Sequence, residues 1–350
     1  MALLPGDPVP NWFAASDTNP RYSLQATGGR WVLLGVLGSA ASPEAMAALR
    51  DFTAGALEVL DANHRAALLI SADAEDRAGA RVPQNLPHYR AIWDATGGVT
   101  AALEGPGWLL LDPTQRLFAR WPLSETAAML ALVARLPPPA LHAGVVAPAP
   151  VLVVPRIFEP ELCRLLIARY REAGGERSGF MRDVNGRTVG AHDPSFKVRR
   201  DHLIEDDALR ATLRGRLAQR LAPEIQKAFQ FRVTRLERYL IACYRADEGG
   251  HFSAHRDNTT KGTAHRRFAV TVNLNAEEFE GGDLVFPEFG TTAYRAPTGG
   301  AVVFSCSLLH QALPVTKGER FAFLPFLYDD AAAKIREENL KFLGEASGGG

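Results

Sequence analysis

The stretch "HFSAHRDN", residues 251–258, decides how the second half of the chain is read. Two histidines four apart would share one face of a helix, as in the zinc proteases. That arrangement needs a glutamate directly after the first histidine as general base, and Phe252 stands there instead. Gly249 and Gly250 precede the stretch and the sequence around it has a period of two, so a strand is expected. Along a strand, side chains alternate between faces. His255 and Asp257 then project together as a metal-binding pair, while Arg256 points away.

A third ligand must come from a distant strand. His310, in "VVFSCSLLHQALPV" (302–315), is the candidate, read as ending a buried strand before a proline-marked turn. Two histidines and one carboxylate on one face of an octahedron leave positions open, the signature of non-haem Fe(II) oxygenases. Zinc on the same three ligands is the other reading. Ten residues on, "RFAFLPFLY" (320–328) alternates so that Arg320, Ala322, Leu324 and Phe326 share a face. A guanidinium turned into a barrel needs a carboxylate, and a bidentate pair suits its planar fork.

Working outward, "FRVTRLERYLIACY" (231–244), "FAVTVNLN" (268–275), "GGDLVF" (281–286) and "GGAVVFSC" (299–306) read as further short strands between Gly and Pro turns. Two helices precede them. The first, "EPELCRLLIARYREAGG" (159–175), has Leu162, Leu165, Leu166 and Tyr170 as its apolar stripe and two glycines as its stop. The second carries Leu209, Leu213, Leu217 and Leu221. Helices followed by runs of strands predict an α+β jelly-roll barrel braced by helices. Residues 178–201 between the helices are polar and without period, either a substrate lid or an ordinary surface loop.

The Pro- and Ala-rich stretch "LPPPALHAGVVAPAPVLVVP" (136–155) reads as a linker ending in a short strand. It divides the chain into residues 1–136, a linker at 137–150, and 151–350. In the first part, "RWVLLGVLG" (30–38) and "AALLISAD" (66–73) are buried strands. "SPEAMAALRDFTAGALEVL" (42–60) is a helix capped by Ser42 with proline at N1. "GWLLLDPTQRLFARW" (107–121) is a hairpin around an Asp-Pro turn, and "SETAAMLALVARL" (124–136) a helix capped by Ser124. Strands alternating with helices predict a thioredoxin-like α/β sandwich.

This first part resembles a peroxiredoxin in "LLPGDPVPNW" and "DPTQRLFARW". The resemblance implies a peroxidatic cysteine near the start of the helix after the first buried strand. There, "GSAASPEA" (38–45) offers only serines, and no cysteine precedes Cys163. A serine hydroxyl supplies no thiolate to attack peroxide, so the expected role is a docking or homodimerisation scaffold.

The second part resembles the prolyl-4-hydroxylase-like Fe(II)/2-oxoglutarate oxygenases, through "YRADEGGHFSAHRD", "RRFAVTVNLNAEEFEGGDLVFPEFG" and "PTGGAVVFSCSLLHQALPVTKGERF" in the family's order. The resemblance spans about Val151 to Asp330. It implies a double-stranded β-helix in which His255, Asp257 and His310 bind iron and Arg320 binds the distal carboxylate of 2-oxoglutarate. Tyr244 is implied as a hydroxyl donor to the cosubstrate. Asn273 stands where the family has its second tyrosine, and the interval from Tyr244 to His255 is longer than the family's. The implied reaction consumes 2-oxoglutarate and O2, oxidises a C–H bond, most simply by hydroxylation, and yields succinate and CO2.

Thirty-nine basic side chains balance 39 acidic ones, so charge argues for neither nucleic acid nor an anionic membrane as partner. No apolar run nears the ~20 residues of a membrane span, and "MALLPGDPVPNWF" lacks the pattern of a signal peptide. The expectation is a cytoplasmic protein. Cys163, Cys243 and Cys306 are expected to be reduced, buried packing residues, and Cys306 and Ser307 lie near enough to His310 to support it. Three function classes remain: an oxygenase acting on a small molecule or a peptidyl (prolyl-type) side chain, a non-catalytic metal-binding sensor, and a peroxide-linked enzyme. Intact His255, Asp257, His310 and Arg320 weigh against the second, and the missing cysteine against the third. The basic clusters "KVRR" (197–200) and "HRR" (265–267) either favour an anionic substrate or are merely solvated.

Overall fold

The computed structural model describes residues 3–184 and 186–344. The chain divides into two compact units, one formed by Met1–Pro148 with Pro287–Thr291, the other by Ala149–Phe286 with Thr292–Gly350. No sequence feature announces that Pro287–Thr291 joins the first unit.

The first unit is built on a five-stranded sheet. Its central strand, Trp31–Gly38, runs parallel to Arg65–Ser71, which runs parallel to Tyr89–Trp93. On its other side, Gly107–Leu111 and Leu117–Trp121 are antiparallel. The helix Pro43–Val59 starts as its sequence dictates, with the Ser42 hydroxyl accepting the Ala45 amide and Pro43 at its first turn. Its Phe52 packs on Trp108 and Tyr89 over one face of the sheet. Ser124 does not cap a helix. Leu123–Glu125 is a 3-10 turn and the α-helix begins at Thr126, whose hydroxyl accepts from the buried Trp108 indole. A tertiary hydrogen bond decides that start.

The second unit holds a larger and a smaller antiparallel sheet. In the larger, Arg235–Glu237, Phe326–Tyr328, Phe268–Asn273, Glu319–Phe323, Leu240–Arg245 and Arg200–Leu203 lie in that order, with Ala301–Ser305 also on Phe268–Asn273. In the smaller, Lys197–Val198, His251–His255, His310–Ala312 and Leu284–Val285 follow one another. One face of the larger sheet is covered by helices. Ile241, Cys243, Phe268, Val270, Val272, Phe321 and Phe323 join a core with Leu162, Leu166, Ile167 and Tyr170 of the helix Pro160–Ala173 and with Leu213 and Leu217 of Asp207–Arg220. Because strand side chains alternate, the residues between them, Tyr244, Asn273, Arg320 and Ala322, face away from the helices. Phe304 of the larger sheet meets Phe286, beside the smaller sheet's strand Leu284–Val285, edge to face at 5.0 Å.

Several expectations need correction. Residues 178–201 are not a loop without structure: Phe180–Val184 and Arg187–Ala191 form a hairpin, followed by two short strands. The hairpin's residues are mostly exposed or half-buried, so it carries no apolar alternation to read. Leu165 is 43% exposed, and Cys163 and Ile167 complete the buried stripe. The leucine helix stops at Arg220, and a new helix starts at Ala222 with Pro223 in its first turn. The run 231–244 is broken by Arg238, whose φ of 73° ends one strand before the next begins at Leu240. His310 does not end the strand before it; a turn intervenes, and His310 opens a strand of the other sheet. All three cysteines are buried and free. No helix among the described residues is long and apolar enough to cross a membrane.

Candidate metal centre

His255 ends its strand directly opposite His310 on the neighbouring one, across an irregularity that begins at Phe252. Gly250, just before the strand, is a close approach: a Cβ there would lie 2.6 Å from the Arg245 amide nitrogen. Asp257 follows the strand, its amide donating to the Cys306 carbonyl at 2.9 Å. Arg256 donates to the Ser307 carbonyl and Asn258 to the Ser307 hydroxyl, so residues 306 and 307 pin the segment that carries the aspartate. The support comes from the backbone of Cys306, not its thiol, which burial holds well above its ordinary pKa.

One ligand atom each from His255, Asp257 and His310 lies within 4.8 Å of the others. His255 Nε2 stands 3.6 Å and His310 Nε2 3.4 Å from the Asp257 oxygens. The tautomers follow from the opposite ring nitrogens. His255 Nδ1 meets the Ser253 carbonyl at 2.7 Å and His310 Nδ1 the Leu308 carbonyl at 3.1 Å, and a carbonyl can only accept. Both Nδ1 atoms therefore carry a proton, and both Nε2 atoms are turned to the carboxylate. Burial and the neighbouring His255 push the His310 pKa down to about 4, so its ring is neutral at pH 7. Burial would raise Asp257, but in the acid range where the rings are protonated His310 and His255 outweigh it and hold the carboxyl well below the usual range. At pH 7 the neutral His310 ring turns its Nε2 lone pair to the carboxylate, and the two repel unless a cation lies between them. The donor set, two imidazoles and one carboxylate, fits a divalent transition metal with open positions. His251 takes no part; its ring contacts the carbonyls of Gly249 and Ser195.

An aromatic wall that no sequence pattern signals borders the ligands. Phe252 stacks on His255 with centroids 3.5 Å apart, Phe196 meets that ring edge-on at 6.3 Å, and Phe304 lies 4.6 Å from His310.

Tyr244 and Arg320 are direct partners across adjacent strands of the larger sheet. The Arg320 guanidinium sits 4.9 Å from the centre of the Tyr244 ring, is 3% exposed, and forms no ion pair among the described residues. Gly282, at φ +67°, lets the chain pass the arginine stem, since a Cβ there would lie 3.0 Å from Arg320 Cδ. Asn273 shares the same sheet face, paired with Ala322. Its amide donates to the Ala296 carbonyl at 2.7 Å, and its buried Oδ1 has no partner. A lone acceptor does not satisfy a carboxylate, so of the three Asn273 offers an anion least. Arg199, ion-paired to Asp201 at 2.6 Å, also reaches the Tyr244 hydroxyl at 3.4 Å.

Residues 239–328 match the 2OG-Fe(II) oxygenase superfamily. A PKHD-type hydroxylase of Stutzerimonas stutzeri (strain A1501) is 29% identical over 146 residues, 39% of this chain and 64% of that protein. One of Paracoccus denitrificans (strain Pd 1222) is 31% identical over 149 residues, covering 40% and 64%. The chain thus spans less than two thirds of the length of either relative. Among solved structures, the viral collagen prolyl hydroxylase of Paramecium Bursaria Chlorella virus-1 covers 53% of this chain and 98% of its own, at 15% identity and a TM-score of 0.39. The matched segment contains all three metal-ligand candidates together with Tyr244, Asn273 and Arg320, and by sequence it is similar to the 2OG-Fe(II) oxygenases, among them the PKHD-type hydroxylases.

Proposed function

We propose that the chain is an Fe(II)- and 2-oxoglutarate-dependent dioxygenase that oxidises, most simply hydroxylates, a C–H bond. One observation carries the reading: a convergent His255, Asp257 and His310 set lies in the same family-matched segment as a buried arginine without a carboxylate partner. Iron with 2-oxoglutarate and O2, when bound, supplies an oxidant that takes hydrogen from a C–H bond, with succinate and CO2 released. The chain's own part is binding and orientation. His255 and His310, each held by a carbonyl at Nδ1, present Nε2 to the metal, and Asp257 offsets part of its charge. Arg320 takes the distal carboxylate of 2-oxoglutarate and the Tyr244 hydroxyl donates to it, fixing the cosubstrate's direction. Phe196, Phe252 and Phe304 keep water from the ligand set.

The test is succinate formation from 2-oxoglutarate under O2, with and without Fe(II), in the wild type and in Asp257→Ala. The reading requires iron-dependent succinate from the wild type and none from the variant. Equal succinate from both, or a wild type that retains no iron, would overturn it. The substrate is a small molecule or a peptidyl side chain, in a domain we read as a double-stranded β-helix.

The first unit we read as thioredoxin-like and non-catalytic, a docking or homodimer scaffold. Its strand order and parallel-then-antiparallel pattern support the fold assignment. The cavity of about 400 Å³ beside the start of its long helix is lined by Ala40, Ala41, Met46, Leu49 and Arg81, with no thiol. Hydrogen peroxide consumption by the full chain above a no-protein control would refute the non-catalytic reading, and a monomer in sedimentation would refute the dimer.

A further inference from the structure

Lys197 is the buried cation whose position the mechanism above does not explain. Its strand lies directly beside the metal strand, Lys197 opposite Phe252. The ammonium stands 4.8 Å from the centre of the Phe252 ring, which itself stacks on His255. The residue is 7% exposed, and its Nζ donates to the Ser178 hydroxyl oxygen at 2.6 Å and to the Gly179 carbonyl at 2.5 Å. Both partners are neutral. Among the described residues it has no ion pair, while the nearest carboxylate cluster is already committed: Asp201 takes Arg199 through two hydrogen bonds, at 2.6 and 2.7 Å, and the Ser178 hydroxyl as well. Arg238 shares Asp201 at 3.9 Å. A buried ammonium with neutral partners is costly, and the usual remedies are loss of its proton or an anion.

The count of charges around the site favours the anion once the site is loaded. With Lys197 protonated, it brings four positive charges together with Arg199, Arg238 and Arg320 against the single negative one of Asp201, and a divalent metal would add two more against Asp257. Doubly charged 2-oxoglutarate cancels two of the excess and leaves two positive charges, on the side of Lys197 and Asp201 rather than at Arg320.

We propose, on the dioxygenase reading given above, that Lys197 receives a carboxylate of the substrate to be oxidised, so that this chain takes an anionic substrate whose acidic group anchors beside Phe252. In the bare protein, burial and then Arg199 push the lysine down to about 6, so at pH 7 it is largely uncharged until a carboxylate beside it stabilises the ammonium. Lys197 is a binding residue in this account, touching substrate and not metal.

The test uses the full chain with Mn(II) at the triad and saturating 2-oxoglutarate, without O2. Paramagnetic relaxation of carboxyl-labelled acetate is the readout. Acetate should show saturable relaxation and acetamide none. Lys197→Met should weaken the acetate effect about tenfold or more, the loss of one charge-assisted hydrogen bond, and Lys197→Arg should restore part of it. Displacement of acetate by N-acetylglycine assigns a free acid, and displacement only by an N-acetylaspartate methylamide assigns an acidic peptide side chain. Saturable relaxation unchanged in Lys197→Met means acetate sits on the metal, and the proposal fails. No saturable relaxation in the manganese-loaded wild type sinks it equally, even if no lysine variant folds. A wild type that does not retain Mn(II) instead sinks the dioxygenase reading itself.

Discussion

Arg266 and Arg320 are both buried arginines of the second unit, and their surroundings differ in one respect. Arg266 meets Glu237 at 2.7 and 3.1 Å, and His265 meets the same carboxylate at 2.6 Å. Arg320 has the face of Tyr244 and, among the described residues, no ion-paired carboxylate. Burying a charge costs several kcal/mol unless it is paired, on the order of what single buried ions cost in other proteins. On the proposed reading, the fold completes the charge it keeps for itself and leaves incomplete the charge that 2-oxoglutarate would complete. On that reading the difference would separate a structural arginine from a binding one more sharply than burial does, since both are buried.

The largest effect is expected at the metal. His310→Ala removes one of three converging donors, so Fe(II) affinity should fall by more than about a hundredfold, beyond the usual cost of losing a ligand's supporting partner. Metal content after dialysis checks it, and retention at the wild-type level would remove His310 from the ligand set.

Arg320→Ala comes next and tests the incomplete side of the comparison. Iron should stay bound, while the 2-oxoglutarate concentration for half-maximal succinate formation rises more than about a hundredfold. Two hydrogen bonds to a charged group contribute roughly 1.5–3 kcal/mol each, and about 1.4 kcal/mol is a factor of ten. Arg320→Lys should recover part, keeping charge without the planar fork. Folding stability should hardly fall, because no protein carboxylate loses its partner.

Glu237→Gln tests the completed side. It strands Arg266 and should cost about 3–5 kcal/mol of folding stability in urea unfolding at pH 7. Burial would raise the Glu237 pKa, but His265 and Arg266 hold it well below the usual carboxylate range. Its stabilisation is then full above the unfolded pKa of about 4.3 and is lost as pH falls toward the native value. The gap between wild type and variant should accordingly narrow from pH 5 downward. A gap independent of pH would mean that shape, not charge, is lost.

Lys317→Ala, three residues before Arg320, should change least. Its ammonium is exposed and pairs with exposed Glu280. A raised 2-oxoglutarate requirement in this variant, with Arg320→Ala normal, would move the cosubstrate anchor from the sheet face to the turn.

The sequence by itself determined which residue types could do chemistry and on which side of a strand they stand. Period-two alternation put Arg320 and Ala322 opposite the side taken by Phe321 and Phe323, and spacing grouped His255 with Asp257, because strand geometry is local. The serine cap and proline of the helix Pro43–Val59 were legible for the same reason. Tertiary structure decided everything that depends on partners distant in the chain. The pairing of His310 with His255, the pins from residues 306 and 307, and the place of Phe196 against His255 each join segments about 50 residues or more apart along the chain. The hairpin Phe180–Ala191 was invisible because its exposed faces need no apolar alternation. Arg266 and Arg320 look alike in sequence; only the fold brings Glu237 to one and leaves the other a ring and an open charge, since ion pairing is settled by distances in space.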